Sequence, residues 1–258
     1  MSDVILVEYD GSVGRLVINR PEARNAITID VIDGLLAGIE KLEASADTRV
    51  IVLTGAGEKA FCAGGDMRID PSAGFLAIHE GRGKYAQLIR RMQECGKPLV
   101  ARVNGHALGG GLGLALACDI VVAGQNAAFG TPEVKLGLFP MMIMALLVKH
   151  VPRKKLVEMM LTGQRVSASE AVQLGMANYA VAPDKLDEKT HEITTALAGK
   201  SSAILRLGKT AFHTMEDMST DQALSYLHGM LTVNAMSEDA MEGVMAFMEK
   251  REANWKDK

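Results

Sequence analysis

Two segments carry residue types at spacings that could do chemistry. One is Ala60-Phe61-Cys62-Ala63-Gly64-Gly65-Asp66-Met67, just after a β-branched run and the turn Gly55-Ala56-Gly57. The other is Val103-Asn104-Gly105-His106-Ala107-Leu108-Gly109-Gly110-Gly111-Leu112-Gly113-Leu114-Ala115, which runs from a strand end through small residues into an apolar helix. Glycine lets another group approach the backbone closely, and a helix N-terminus presents free N–H groups with a partial positive charge. Two such donors converging from separate loops would form an oxyanion hole. Tight helix–strand packing explains the same glycines, and spacing alone favours that plainer role. No mononucleotide or dinucleotide phosphate loop, G-x-S-x-G elbow or H-E-x-x-H pair is present. The six histidines form no ligand-like pair on one helical face, so no metal site is expected.

The elements that must position these segments are legible from periodicity. Val4–Tyr9 and Val13–Ile18 flank Asp10-Gly11 and read as a hairpin. Val31, Leu35, Ile39 and Leu42 recur at helical spacing after Asp30, a candidate N-cap. Arg49–Thr54, Leu99–Val103 and Ile120–Ala123 read as strands, and Tyr85, Leu88, Ile89 and Met92 mark a helix closed by Gly96 and Pro98. Strands separated by helices imply an α/β class. Beyond residue 150 the helical patterns are Lys154–Leu161, Ser169–Leu174 and Pro183–Ala198, with Ala177–Ala182 the one strand candidate. No strand signal follows Ser201. A boundary near residue 198, at Gly199-Lys200-Ser201, divides an α/β core (1–198) from an all-helical region (199–258).

Composition narrows the function classes. The 258 residues carry 28 Lys and Arg against 31 Asp and Glu, a net charge of −3 that disfavours a nucleic-acid partner. The longest apolar stretch, Leu136–Val148, has 13 residues and contains Pro140, whereas a membrane span needs about 20. MSDVILVEYDGSVG shows no basic n-region and no cleavage site. Cys62, Cys95 and Cys118, an odd number without ligand spacing, suggest buried thiols in a reducing compartment. A cytoplasmic protein is the simplest expectation.

Four motifs in order carry a resemblance. The two glycine segments, together with Asn19-Arg20-Pro21-Glu22-Ala23-Arg24-Asn25-Ala26 and Phe129-Gly130-Thr131-Pro132-Glu133-Val134-Lys135-Leu136-Gly137, resemble the enoyl-CoA hydratase/isomerase (crotonase) superfamily. Ala246-Phe247-Met248-Glu249-Lys250-Arg251 extends the likeness to the C-terminal end of the sequence. The resemblance implies a spiral of β-β-α units, and a helical C-terminal region that drives assembly to trimers or hexamers. It implies an acyl-CoA enzyme of fatty acid metabolism, a lyase or isomerase, with no cofactor beyond the coenzyme A of its substrate.

Carried over by motif position, the oxyanion-hole donors fall on the N–H groups of Gly65 and Gly110, with Glu133 as acid/base. At Gly110 the substrate oxygen is expected so near that no Cβ is tolerated. Ala23, Arg24, Ala63, Asp66, Met67, Arg68, Phe247 and Lys250 take substrate- or CoA-binding positions, the last two often reaching a neighbouring subunit's ligand. Asp66 and Asp119 are expected to orient loops through backbone hydrogen bonds.

The sequence departs from the hydratase pattern twice. Typical hydratases place a second glutamate where this chain has Gly113, and two carboxylates share the work of adding water. A 1,3-proton shift from a 3-enoyl to a 2-enoyl thioester needs one base, so a lone Glu133 fits the isomerase branch and other enolate chemistry too. If the missing carboxylate limits hydration, Gly113→Glu should raise it. A catalytically silent acyl-CoA-binding or assembly protein is the alternative. The second departure is Phe139-Pro140-Met141-Met142-Ile143-Met144 in place of a glycine-rich segment. Met141 and Met142 either wall an altered acyl pocket or pack in the core.

Overall fold

The computed structural model describes residues 4–68 and 74–258. It opens with the expected hairpin, β1 (Ile5–Asp10) antiparallel to β2 (Val13–Ile18). Helix α1 (Ile29–Ala44) follows, burying Val31, Leu35, Ile39 and Leu42. Its N-cap is Thr28, whose side chain accepts from the Val31 N–H at 3.3 Å. Asp30 instead lies inside the first turn, where a carboxylate also suits the helix dipole.

Three β-β units then wind between two sheets. In the first, β3 (Val50–Gly55) and β4 (Ala60–Cys62) precede α2 (Phe75–Glu94). In the second, β5 (Leu99–Val103) and β6 (His106–Leu108) precede α3 (Gly110–Leu116). In the third, β7 (Ile120–Gly124) and β8 (Ala128–Gly130) lead into a 3-10 turn at Pro132–Leu136 and helix α4 (Met144–His150). The first strand of each unit joins a six-stranded sheet and the second joins a four-stranded one. This is the spiral.

Helix α5 (Arg153–Thr162), β9 (Arg165–Ser167), α6 (Ala168–Gln173) and β10 (Tyr179–Val181) complete both sheets, whose orders are β1-β2-β3-β5-β7-β10 and β4-β6-β8-β9. Only the β1/β2 and β8/β9 pairings are antiparallel. The periodicity reading contained no trace of β4, β6, β8 and β9. Each has three residues, too few for an alternation to show.

The main core lies among the sheets, α1–α6 and the loops between them, and all three cysteines are buried in it without disulfides. Burial pushes the Cys62 thiol up to about 12, which keeps it inert. Helix α7 (Leu186–Ala198) covers the other face of the larger sheet, where Leu186 packs with Val50, Val52, Val100 and Val122. From Ser202 the chain is helical: α8 (Ser202–Met215), α9 (Thr220–Ala235) and α10 (Glu238–Glu249). The final segment returns to the core. Buried Asp239 accepts from the Lys256 and Asp257 N–H groups, and Asp257 pairs with Arg49 beside β3. Among the described residues, no helix is long and apolar enough to cross a membrane.

Candidate active site

The four-stranded sheet explains how distant motifs meet. Strands β4, β6 and β8 run parallel and adjacent, with Cys62 opposite Ala107 and Leu108 opposite Gly130. Their carboxyl ends therefore open side by side into the loops of Ala63–Asp66, Gly109–Gly110 and Thr131–Glu133. In parallel sheets the carboxyl ends of strands are where ligands gather. Gly109 N–H donates to Gly130 O at 2.9 Å, which ties the second loop to the third. A Cβ on Gly64 would stand 3.5 Å from the Gly110 nitrogen, so the first loop lies against the second. Gly109 adopts φ +52° and ψ −126°, a conformation that favours glycine and turns the strand sharply into α3.

Among the described residues, neither the Gly65 nor the Gly110 N–H has an acceptor. Gly65 faces open space. Around it the loop is held firmly: Ile27 N–H donates to Gly64 O and Asp66 N–H to Ile27 O, each at 2.8 Å. The Asp66 carboxylate takes Arg20 at 3.1 Å and Arg68 at 2.6 Å. Those hydrogen bonds, that with Arg68 the strongest, hold its pKa well below the usual carboxylate range. Asp66 therefore ties the first loop to Arg20 and to the Arg68 that follows it. Ala63 N–H donates to Arg24 O at 3.0 Å, bringing Ala23 and Arg24 beside the same loop. Buried Asn25, at φ +57°, donates to Ala56 O and Ala60 O and pins this early segment to β4.

Glu133 sits in the 3-10 turn that Pro132 starts, and its carboxylate lies against Gly109. A Cβ on Gly109 would meet Glu133 Oε1 at 2.7 Å. Glu133 Oε2 is buried with no hydrogen-bond partner. Burial raises the carboxyl's pKa, opposed only by its own backbone N–H. The site thus holds a half-buried carboxylate without a cation beside it, on a loop adjoining the two that carry the free N–H donors.

A Cβ on Gly110 would meet Ile27 Cδ1 at 3.1 Å and the Tyr85 ring at 3.6 Å, so packing against these side chains favours glycine there. A side chain at Gly113 would begin inside the Tyr85 hydroxyl and 2.6 Å from Ile143 Cγ2. A glutamate at position 113 therefore requires both Tyr85 and Ile143 to move. Tyr85 is the residue that periodicity assigned to an ordinary helix face. It is 6% exposed and donates from Oη to Gly110 O at 2.6 Å.

The remaining sites separate. Met141 and Met142 are exposed, so core packing does not explain them, whereas Met144 packs against the core. Met67 and Arg68 lie exposed at the end of the first loop. Phe247 is 85% exposed on α10 and Lys250 caps that helix, so within one protomer they stand outside the cluster around Glu133. Asp119 accepts from Leu99 N–H and from Lys209, each at 2.7 Å, a structural role as expected. No metal-holding cluster of His, Cys, Asp or Glu occurs among the described residues.

Known proteins resemble this chain over nearly its whole length. The family model described as enoyl-CoA hydratase/isomerase matches residues 8–258. The carnitinyl-CoA dehydratase of Escherichia coli is 34% identical over 99% of both chains. The short-chain-enoyl-CoA hydratase of Clostridium acetobutylicum is 33% identical over 96% of this chain and 95% of its own. The crystal structure of an enoyl-CoA hydratase from Mycobacterium smegmatis superposes with a TM-score of 0.94 at 31% identity, covering 98% of each chain. With a family model spanning nearly its whole length and relatives matched end to end, the chain belongs to the enoyl-CoA hydratase/isomerase family of enzymes.

Proposed function

We propose that this enzyme moves the double bond of an enoyl-CoA thioester, with Glu133 as its single proton carrier. The Glu133 carboxylate takes a proton from C2 of a 3-enoyl thioester. The C2–H electron pair passes into a dienolate whose negative charge rests on the thioester oxygen. The N–H groups of Gly65 and Gly110 receive that oxygen, and fixed donors of this kind stabilise charge as it develops. Glu133 then returns the proton at C4, giving the 2-enoyl thioester. The observation that carries this reading is the orphaned, burial-raised carboxylate of Glu133 beside two free N–H donors, with no second carboxylate admitted at Gly113.

Ala23, Arg24, Ala63, Asp66, Met67 and Arg68 line the approach for the CoA portion in this reading, with Met141 and Met142 along the acyl chain. Phe247 and Lys250 act across a subunit boundary in a trimer or hexamer built on residues 199–258. Hydration is the second reading, favoured by the hydratase named among the relatives.

Replacing Glu133 by Gln tests the mechanism. Turnover of 3-enoyl-CoA should fall at least about a hundredfold, the usual scale of a lost general base, with acyl-CoA affinity held within a few-fold. A fully active variant moves the chemistry elsewhere. A wild type that binds acyl-CoA but turns over neither 2-enoyl nor 3-enoyl substrates is instead the silent binding protein.

A further inference from the structure

We infer that Tyr85 sets the type of reaction in this site, by filling the space of a second carboxylate and clamping the peptide next to the Gly110 donor. The inference rests on the proposed function above. Three observations support it.

The first is steric. The Tyr85 hydroxyl lies where a side chain at Gly113 would start, and its ring lies 3.6 Å from a Cβ on Gly110. A side chain at position 113 therefore needs Tyr85 to give way first, and then Ile143, whose Cγ2 lies 2.6 Å from the same point. The glycine and the tyrosine are two halves of one choice.

The second is the hydrogen bond. Tyr85 donates to Gly110 O at 2.6 Å, and Gly109 N–H donates to Gly130 O at 2.9 Å. The peptide groups on either side of the free Gly110 N–H are therefore held from opposite directions, by α2 and by β8. Gly110 has no side chain of its own to restrict it, so the clamp keeps its donor aimed.

The third is chemical. Adding water needs one group to hold and deprotonate it and another to protonate C2. A buried phenol whose proton is engaged at a backbone carbonyl is a poor general base. Burial first, then the neighbouring Cys62 and Glu133, push its acidity still further from neutrality. Tyr85 supplies shape and a fixed donor where a hydratase would need a carboxylate. It acts through Gly110 and is a positioning residue.

Two variants test this. Tyr85→Phe keeps the ring and removes only the clamp. We expect kcat for migration of 3-enoyl-CoA to fall about tenfold with KM within twofold, less than the loss of a hole donor itself. Tyr85→Ala with Gly113→Glu removes the nearer clash, leaves Ile143 a vacated space to turn into, and adds the carboxylate. Hydration of 2-enoyl-CoA should then rise at least about tenfold over the wild type, while Gly113→Glu alone gives no gain. Unchanged kcat in Tyr85→Phe overturns the clamp, whether or not the double variant folds. A folded Gly113→Glu protein that hydrates as well as the double variant overturns the steric half. Failure of the underlying reading looks different, because Glu133→Gln would then retain turnover whatever Tyr85 variants do.

Discussion

At the scale of single residues, Glu133 makes two pH predictions. In the proposed mechanism its ionised form is the base, and burial raises its pKa above the ordinary 4.5. The kcat/KM profile should therefore lose activity on acidification at a pH above that ordinary value, with a single acid limb. The same shift has a stability sign. A carboxyl whose folded pKa is raised binds its proton more tightly when folded, so stability falls as pH rises from the unfolded value through the folded one. Glu133→Gln should accordingly have a higher Tm than the wild type at pH 7, the difference vanishing below about pH 4, the unfolded range. Thermal melts at both pH values check it, and an unchanged or lower Tm at pH 7 would contradict the assigned burial cost.

At the scale of elements, the contacts of α2 and α8 with the strand ends decide how firmly the site is held. A methyl group at Gly113 would collide with the Tyr85 hydroxyl and with Ile143. Gly113→Ala should cost about 1–3 kcal/mol, the range for overpacking, and less in the Tyr85→Phe background. A double-mutant cycle in urea measures the difference, and two equal costs would mean that Ile143 alone makes the clash. Asp119 binds the other end of this layer, joining β5 to α8. Burial alone would raise its pKa, but hydrogen bonding to His213, the Lys209 charge and the Leu99 N–H together lower it. Its contribution is present above the unfolded pKa and lost as pH falls through the lower folded one. Asp119→Asn should cost about 2 kcal/mol at pH 7, the scale of hydrogen bonds to a charged group, seen as a lower urea midpoint.

At the scale of the whole molecule, one protomer exposes 13993 Å². A compact monomer of 27.6 kDa exposes roughly 11,000 Å² by the usual scaling. Part of the excess is apolar and lies on the C-terminal helices: α9 buries none of its residues, and Leu224, Leu231, Val233, Met241, Val244 and Phe247 all stand more than half exposed. In the proposed trimer or hexamer this exposed apolar surface is the association face. If that assembly is trimeric, Leu231→Glu with Met241→Glu should shift the protein from trimer to monomer on sedimentation, with helix content kept. A variant still trimeric would place the interface on another surface. In the proposed assembly Phe247 and Lys250 serve a neighbour's substrate, so the same variant should raise KM for the CoA thioester.

The sequence by itself determined the class and the long strands and helices, and singled out Glu133 as a candidate, because those features are local. A six-residue strand alternates or runs apolar within its own length, a helix repeats within four residues, and a motif is a string. Tertiary structure alone decided how the motifs meet. Strands β4, β6 and β8 have three residues each and leave no periodic trace, yet their parallel pairing sets Ala63–Asp66, Gly109–Gly110 and Glu133 side by side. Asp30 was the helix cap that the sequence offered, and backbone geometry chose Thr28, two residues earlier. Tyr85 had the spacing of any core residue on an amphipathic helix. Its hydroxyl became part of the site because α2 packs that face onto α3, 25 residues further along the chain. A packing position and a functional position look alike in one dimension, because what separates them is the atom met across the interior.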